Sequence, residues 1–168
     1  MIHLATHAVF VKGVPEDSFI LMGDGGQISL KEIEDWKLPQ VSLVVLSACQ
    51  TALGGEMGNG LEILGFGYQL QRTGVRASIA SLWEVDDGGT QSFMDTLYAR
   101  LKSGETTEAE ALHRAQIAMI TGKNQSSDNN RSSVNYYIPG NSGQSAPISH
   151  NLSHPYYWAP FILIGNGL

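Results

Sequence analysis

The sequence is short of three things: cysteine, basic residues and long apolar runs. Cys49 is the only cysteine among 168 residues, which excludes an internal disulfide and a four-cysteine zinc site and favours a reducing, cytoplasmic location. Ten lysines and arginines stand against sixteen acidic residues, for a net charge of −6. We therefore expect no nucleic-acid partner. No apolar run approaches the roughly 20 residues that span a bilayer, so we expect no membrane partner either.

Nucleotide and metal sites also lack their usual signatures. The glycine-rich stretch 54–60 does not end in the Gly-Lys-Ser/Thr sequence that holds phosphate and magnesium. The histidines show no ligand spacing on a common element; they are His3, His7, His113, His150 and His154. We expect neither a metal nor a cofactor. His3 alternates with His7 along the first strand and is expected to face a covering helix.

What the sequence does contain is an alternation of strands and helices, which predicts one α/β domain with a largely parallel sheet. A capping-box spacing at Ser29 and Glu32 predicts a short helix to about Trp36, and Thr107 with Glu110 predicts another to about Thr121. Two more helices are expected to end near Thr73 and at Lys102. Strands are predicted over residues 2–6, 42–46, 76–82 and within 155–165, with a small hairpin formed by 19–22 and 27–30.

A polar segment separates the helix that is predicted to end near Thr121 from the last predicted strand. Residues 122–153 are rich in Asn, Ser, Gly and Gln and contain few large apolar side chains. Such a composition cannot bury enough apolar surface to pack as a core, and the segment is longer than most loops of a compact domain. We interpret it as a flexible insertion within the single domain.

Two strand ends carry the reactive side chains. Cys49 leaves an apolar strand just before the glycine-rich stretch, and His7 ends the first strand in the same manner. Adjacent parallel strands would bring both to the carboxyl edge of the sheet, where α/β folds gather chemistry. A histidine beside a cysteine generates the thiolate nucleophile, and backbone N–H groups of Ala8 and Cys49 are candidates for the oxyanion site. On these residues alone, a buried Cys49 that only packs remains an alternative.

Four stretches in order resemble the CHAT domain, a caspase-like and separase-like cysteine peptidase module commonly found downstream of TPR repeats. They are HLATHA at 3–8, LSACQTALG at 46–54, ASLWEVDD at 80–87 and HPYYWAPF at 154–161. The resemblance covers almost the whole chain apart from the polar segment. It implies a caspase-like three-layer α/β sandwich and a protein or peptide substrate.

The resemblance also implies roles for particular residues. His7 would be the general base and Cys49 the nucleophile that forms a thioester with the substrate. Asp87, or else Asp86, would receive an Arg or Lys side chain, with Trp83 as a wall of that pocket. The alternatives are that these aspartates cap the next helix, as aspartate does well, and that Trp83 belongs to the core.

The sequence departs from the family pattern in two places. Ala8 stands where caspase-like enzymes usually have glycine, which restricts the backbone next to His7. Related domains place two further strands before the histidine strand, so we expect this sheet to lack its first two strands. We interpret residues 1–168 as an N-terminally incomplete domain that results from an incomplete reading frame. The alternatives are a truncated gene, or a TPR-repeat region or upstream chain that supplies the missing strands. The alternative function is a noncatalytic CHAT scaffold, or an inactive truncated remnant, that acts in protein–protein interaction.

Overall fold

A computed structural model describes residues 1–11, 17–52, 61–83, 85–123 and 152–168. Within these ranges the chain forms one six-stranded sheet, in the order β3-β2-β1-β4-β5-β6. In chain order the elements are β1 (Ile2–Phe10), β2 (Phe19–Leu21), β3 (Gln27–Ser29), α1 (Leu30–Glu34), β4 (Leu43–Ala52), α2 (Leu61–Arg72), β5 (Ala77–Ser81), α3 (Asp87–Lys102), α4 (Glu108–Thr121), α5 (Pro155–Trp158) and β6 (Phe161–Gly165).

The sheet has a parallel centre and antiparallel flanks. Strands β1, β4 and β5 run parallel, whereas β2, β3 and β6 pair antiparallel with their neighbours. All five residues of β5 are buried, as expected for a parallel strand covered on both faces. The predicted α/β architecture is confirmed.

Helices cover both faces of the sheet and enclose two apolar cores. Alternate residues of each strand point to opposite faces, so neighbouring positions enter different cores. The core under α1 and α2 includes Ile20, Val44, Leu46, Phe66, Leu70 and Ala80. The core under α3 and α4 includes Leu43, Val45, Ile79, Phe93, Leu97 and Phe161. This arrangement is the three-layer sandwich that the resemblance implies.

Local signals set the helix ends as predicted. The Glu32 N–H donates to Ser29 Oγ at 3.2 Å and the Ser29 N–H donates to Glu32 Oε2 at 2.8 Å, which completes the capping box of α1. Thr107 Oγ1 accepts from the Glu110 N–H at 3.2 Å and begins α4. Gly74 follows α2 with a φ of 98°, a backbone conformation that favours glycine.

The structure differs from the predictions in the lengths of two strands. Strands β1 and β4 were expected to end near Thr6 and Leu46, but they pair in one unbroken register from Ile2↔Val44 to Phe10↔Ala52. Both strands continue beyond their predicted ends because each further extended residue adds hydrogen bonds to the parallel ladder between them. His7 and Cys49 therefore lie inside their strands rather than at the ends.

The carboxyl-terminal region also differs in detail. A four-residue helix, α5, precedes the last strand; Pro155 stands in its first turn and the His154 side chain accepts from the Tyr156 N–H. Proline suits this position because the first turn needs no N–H donor. The predicted flexible insertion falls outside the described residues over 124–151. No helix in the ranges that the structure describes is long and apolar enough to cross a membrane.

Candidate active site

His7 and Cys49 stand directly opposite each other on β1 and β4. They form one pair of the parallel register, flanked by Thr6↔Ala48 and Ala8↔Gln50. Neighbouring strands lie about 4.8 Å apart, and paired positions of a parallel ladder share one face of the sheet. The predicted adjacency of the two residues is therefore confirmed at the level of the backbone.

His3, Ala5 and His7 are exposed on the same face of β1, although the Tyr98 ring shields part of the His3 imidazole. The reason lies in the placement of α3 and α4. Their core draws on β4, β5 and β6, and none of its described members belongs to β1. Within the described residues the His7 side chain is thus open to solvent, and its role as a general base stays a prediction.

Ala8 lies in the ladder between two strands. It pairs with Ile20 on β2 and with Gln50 on β4, and its side chain is completely buried in the core under α1 and α2. A small residue fits this position because the core packs closely around it. The suggested oxyanion role of its N–H stays a prediction.

Asp86 caps helix α3. Its Oδ1 accepts a hydrogen bond from the Gly89 N–H at 3.0 Å, and its carbonyl accepts from the Thr90 N–H at 2.9 Å. The capping interpretation is therefore confirmed for Asp86, while Asp87 is the first residue of the helix. Because β5 runs parallel to β4, both aspartates follow the carboxyl edge of the sheet, toward which His7 and Cys49 also lie.

Trp83 is anchored to the carboxyl-terminal region. Its Nε1–H donates to the Tyr156 carbonyl at 3.0 Å, and the neighbouring Leu82 N–H donates to the Pro160 carbonyl at 3.0 Å. Trp83 is partly buried and packs against the core under α3 and α4. This packing supports the core interpretation, while a role of Trp83 as a pocket wall stays a prediction.

Tyr157 lies against the start of α3. A Cβ on Gly89 would come within 2.5 Å of Tyr157 Cδ1, so glycine is what permits this approach. Burial raises the pKa of the Tyr157 phenol; the carboxylate of Asp86 adds to the increase, as does the Tyr156 phenol once it ionises. We call the segment from Trp83 to Asp87, after β5, the acidic loop, and residues 154–161 the terminal motif. The two segments meet where Tyr157 lies beside Asp86.

A polar cluster that sequence reasoning missed lies on the same face as His7. The Nε2 of His3 is 2.8 Å from Ser47 Oγ, and its Nδ1 is 2.7 Å from the Tyr98 hydroxyl. The predicted contact of His3 with a covering helix is confirmed, since Tyr98 lies on α3. Partial burial lowers the pKa of His3 and raises the pKa of Tyr98 to about 12. The four-residue spacing of His3 and His7, which places both on one strand face, was the available signal.

The described residues contain no group of three or more His, Cys, Asp or Glu side chains placed to hold a metal ion. The family model described as the CHAT domain matches residues 1–166. The chain belongs to the CHAT-domain family. No curated protein matches it. The match runs from β1 to β6 of this CHAT domain, and the family is one of caspase-like cysteine peptidases.

Proposed function

We propose that this CHAT domain is a cysteine endopeptidase that uses a dyad of His7 and Cys49. The observation that carries the proposal is their direct pairing across two parallel strands, with the His7 side chain exposed. A nucleophile and its base must lie within hydrogen-bonding reach, and adjacent positions on one face of a sheet allow this. The family assignment adds independent support.

The mechanism is acyl transfer in two steps. His7 takes the proton of the Cys49 thiol, and the thiolate attacks the scissile carbonyl carbon to give a tetrahedral intermediate. The backbone N–H of Cys49 is the donor to its oxyanion, since the Ala8 N–H lies within the ladder between β2 and β4. The imidazolium of His7 then protonates the leaving amine, and a thioester remains on Cys49. Water, deprotonated by His7, hydrolyses the thioester and restores the thiol.

Asp87, with Asp86 as the second choice, receives the side chain of an Arg or Lys residue before the cleaved bond. Both aspartates follow β5 at the start of α3. Asp86 uses its Oδ1 atom to cap the helix, but its carboxylate keeps its negative charge. The net charge of −6 favours a cationic substrate segment. Trp83 stands four residues before Asp87 and supplies an aromatic wall, since its indole is held in place by Tyr156.

Cleavage of matched fluorogenic peptides tests this function. Peptides with Arg, Lys or Ala before the reporter bond are incubated with the full natural polypeptide and with its Cys49→Ala and His7→Ala variants. The proposal expects cleavage after Arg and Lys, with loss in both variants. Equal cleavage by wild type and Cys49→Ala would contradict it.

A second function, noncatalytic scaffolding, is favoured by the edge of β1. Strand β2 pairs with β1 at residues 7–9 alone, so within the described chain residues 2–5 have no strand on that side. An open strand edge is a template for another extended segment, such as one from a TPR-repeat region or an upstream chain. Replacing the native domain by a His7→Ala, Cys49→Ala double variant in its own cell separates the two functions: a scaffold keeps its cellular role and a peptidase loses it.

A further inference from the structure

Three polar side chains from three elements meet on the open face of β1. His3 lies between Ser47 of β4 and Tyr98 of α3, with one ring nitrogen within hydrogen-bonding distance of each. The rings of His3 and Tyr98 also touch, with centroids 5.6 Å apart. We call His3, Ser47 and Tyr98 the β1–α3 bridge.

The β1–α3 bridge lies directly behind the dyad along the strands. Ser47 precedes Cys49 by two residues and His3 precedes His7 by four, so each pair shares one face of its strand. At about 3.3 Å per residue the separations along the strands are about 7 and 13 Å. Ser47 pairs with Ala5, which stands between the two histidines. Any shift of β1 at His3 is therefore transmitted along a short, extended segment to His7.

The β1–α3 bridge also reaches the acidic loop. Helix α3 carries Tyr98, and the same helix begins at Asp87 with Asp86 as its cap. A helix is stiff over this length, so fixing Tyr98 against β1 fixes the start of α3 as well. The bridge thus connects the strand that carries His7 with the helix that carries the acidic loop, on a face where β1 lacks apolar cover in the described core.

Both hydroxyl partners suit a neutral imidazole. One ring nitrogen donates and the other accepts, and a hydroxyl can serve either. Desolvation lowers the pKa of His3 and raises the pKa of Tyr98, which favours the neutral form of both side chains. Both ring nitrogens of His3 thus have a hydrogen-bonding partner while the imidazole is uncharged.

We propose that His3 is a positioning residue of the peptidase site, which holds β1 at a fixed spacing from α3 through Tyr98 and Ser47. The spacing keeps His7 in line with Cys49 while the acidic loop holds the substrate. This inference rests on the proposed peptidase function. It assigns His3 no contact with the substrate.

The test measures the rate at which a peptidyl-Arg acyloxymethyl ketone modifies Cys49 in the full natural polypeptide. Variants Tyr98→Phe and His3→Ala each remove one side of the β1–α3 bridge, and His3→Gln keeps a donor and an acceptor. Thr121→Val is the matched control, because it removes a hydrogen bond of 2.8 Å from the Thr121 hydroxyl to the Ile117 carbonyl. Both residues lie on α4, which contributes nothing to the β1–α3 bridge. All rates are taken at a temperature where every variant is folded, as shown by circular dichroism.

We expect Tyr98→Phe and His3→Ala each to lower the maximal labelling rate about tenfold, since small misplacements of reacting groups are costly. The reagent concentration at half-maximal rate should change little. His3→Gln should label faster than His3→Ala. The double variant His3→Ala, Tyr98→Phe should label no more slowly than His3→Ala alone. Thr121→Val should match wild type.

Wild-type rates in Tyr98→Phe and His3→Ala, with labelling abolished only in Cys49→Ala, would overturn the positioning role and leave the peptidase intact. A lowered Tm with an unchanged maximal rate would show a structural role alone and would also overturn it. Absence of labelling in wild type would overturn the peptidase function and this inference together.

Discussion

The indole N–H of Trp83 donates a hydrogen bond to the main-chain carbonyl of Tyr156. This bond joins two motifs that lie 73 residues apart in the chain. The loop after β5 and the helix before β6 therefore form one structural unit at the carboxyl edge of the sheet, beside the start of α3. The position of the acidic loop depends on the terminal motif as much as on its own sequence.

Trp83→Phe tests this bond. The phenylalanine ring keeps part of the packing but has no N–H group. The Tyr156 carbonyl therefore loses its hydrogen bond from the side chain at position 83. We expect the free energy of unfolding to fall by about 1 kcal/mol or more, measured by urea denaturation. Tyr156→Phe is the control, because the bond uses its main-chain oxygen; equal losses in both variants would show that the Trp83 bond is not responsible.

Gly89→Ala should destabilise the domain. The new Cβ would come within 2.5 Å of Tyr157 Cδ1 and 3.1 Å of Val85 Cγ1, and overpacking of this kind costs roughly 1–3 kcal/mol. Gly65→Ala on α2 is the matched control, since among the described residues no atom outside the backbone of α2 lies within 4 Å of a Cβ added there, and alanine should stabilise that helix by about 0.5–1 kcal/mol. Thermal unfolding of both variants should show opposite shifts of Tm. A stabilised Gly89→Ala would refute the close approach of Tyr157.

Substitutions at the two aspartates separate capping from substrate recognition. Asp86→Ala should cost about 1 kcal/mol of stability through loss of the cap, whereas Asp86→Asn keeps a side-chain acceptor and should stay near wild type. Asp87→Ala should lower the ratio of cleavage after Arg to cleavage after Ala. Unchanged selectivity in Asp87→Ala would exclude that residue as the binder of a basic side chain.

The pKa of His3 predicts a pH dependence of stability. Partial burial lowers this pKa below its ordinary value of 6.5, so the unfolded chain binds more protons than the folded one just below that pH. Stability due to neutral His3 is complete above pH 6.5 and declines as the pH falls toward the lowered value. The stability difference between wild type and His3→Gln should therefore shrink on acidification. A difference that grows on acidification would contradict the lowered pKa of His3.

Local signals in the sequence were sufficient for much of the fold. The capping box at Ser29, the cap at Thr107 and the glycine after α2 act through neighbouring residues, so the sequence predicts them directly. The pairing of His7 with Cys49 followed from two strand ends of similar pattern.

Other features depend on residues far apart in the chain. The full lengths of β1 and β4 come from their mutual ladder, which neither strand specifies alone. The β1–α3 bridge joins His3 to Ser47 and Tyr98, 44 and 95 residues away, and no local pattern identifies such partners. Helix α5 was hidden because two prolines and three aromatic residues also suit an extended approach to a strand.

The most direct test of the account is the modification of Cys49 by a peptidyl-Arg acyloxymethyl ketone, followed by intact mass and peptide mapping. We expect one label per chain at Cys49 in wild type, a much slower reaction in His7→Ala and none in Cys49→Ala. Labelling of Cys49 at the same rate with and without His7, or no labelling of the wild-type polypeptide, would contradict a His7–Cys49 dyad.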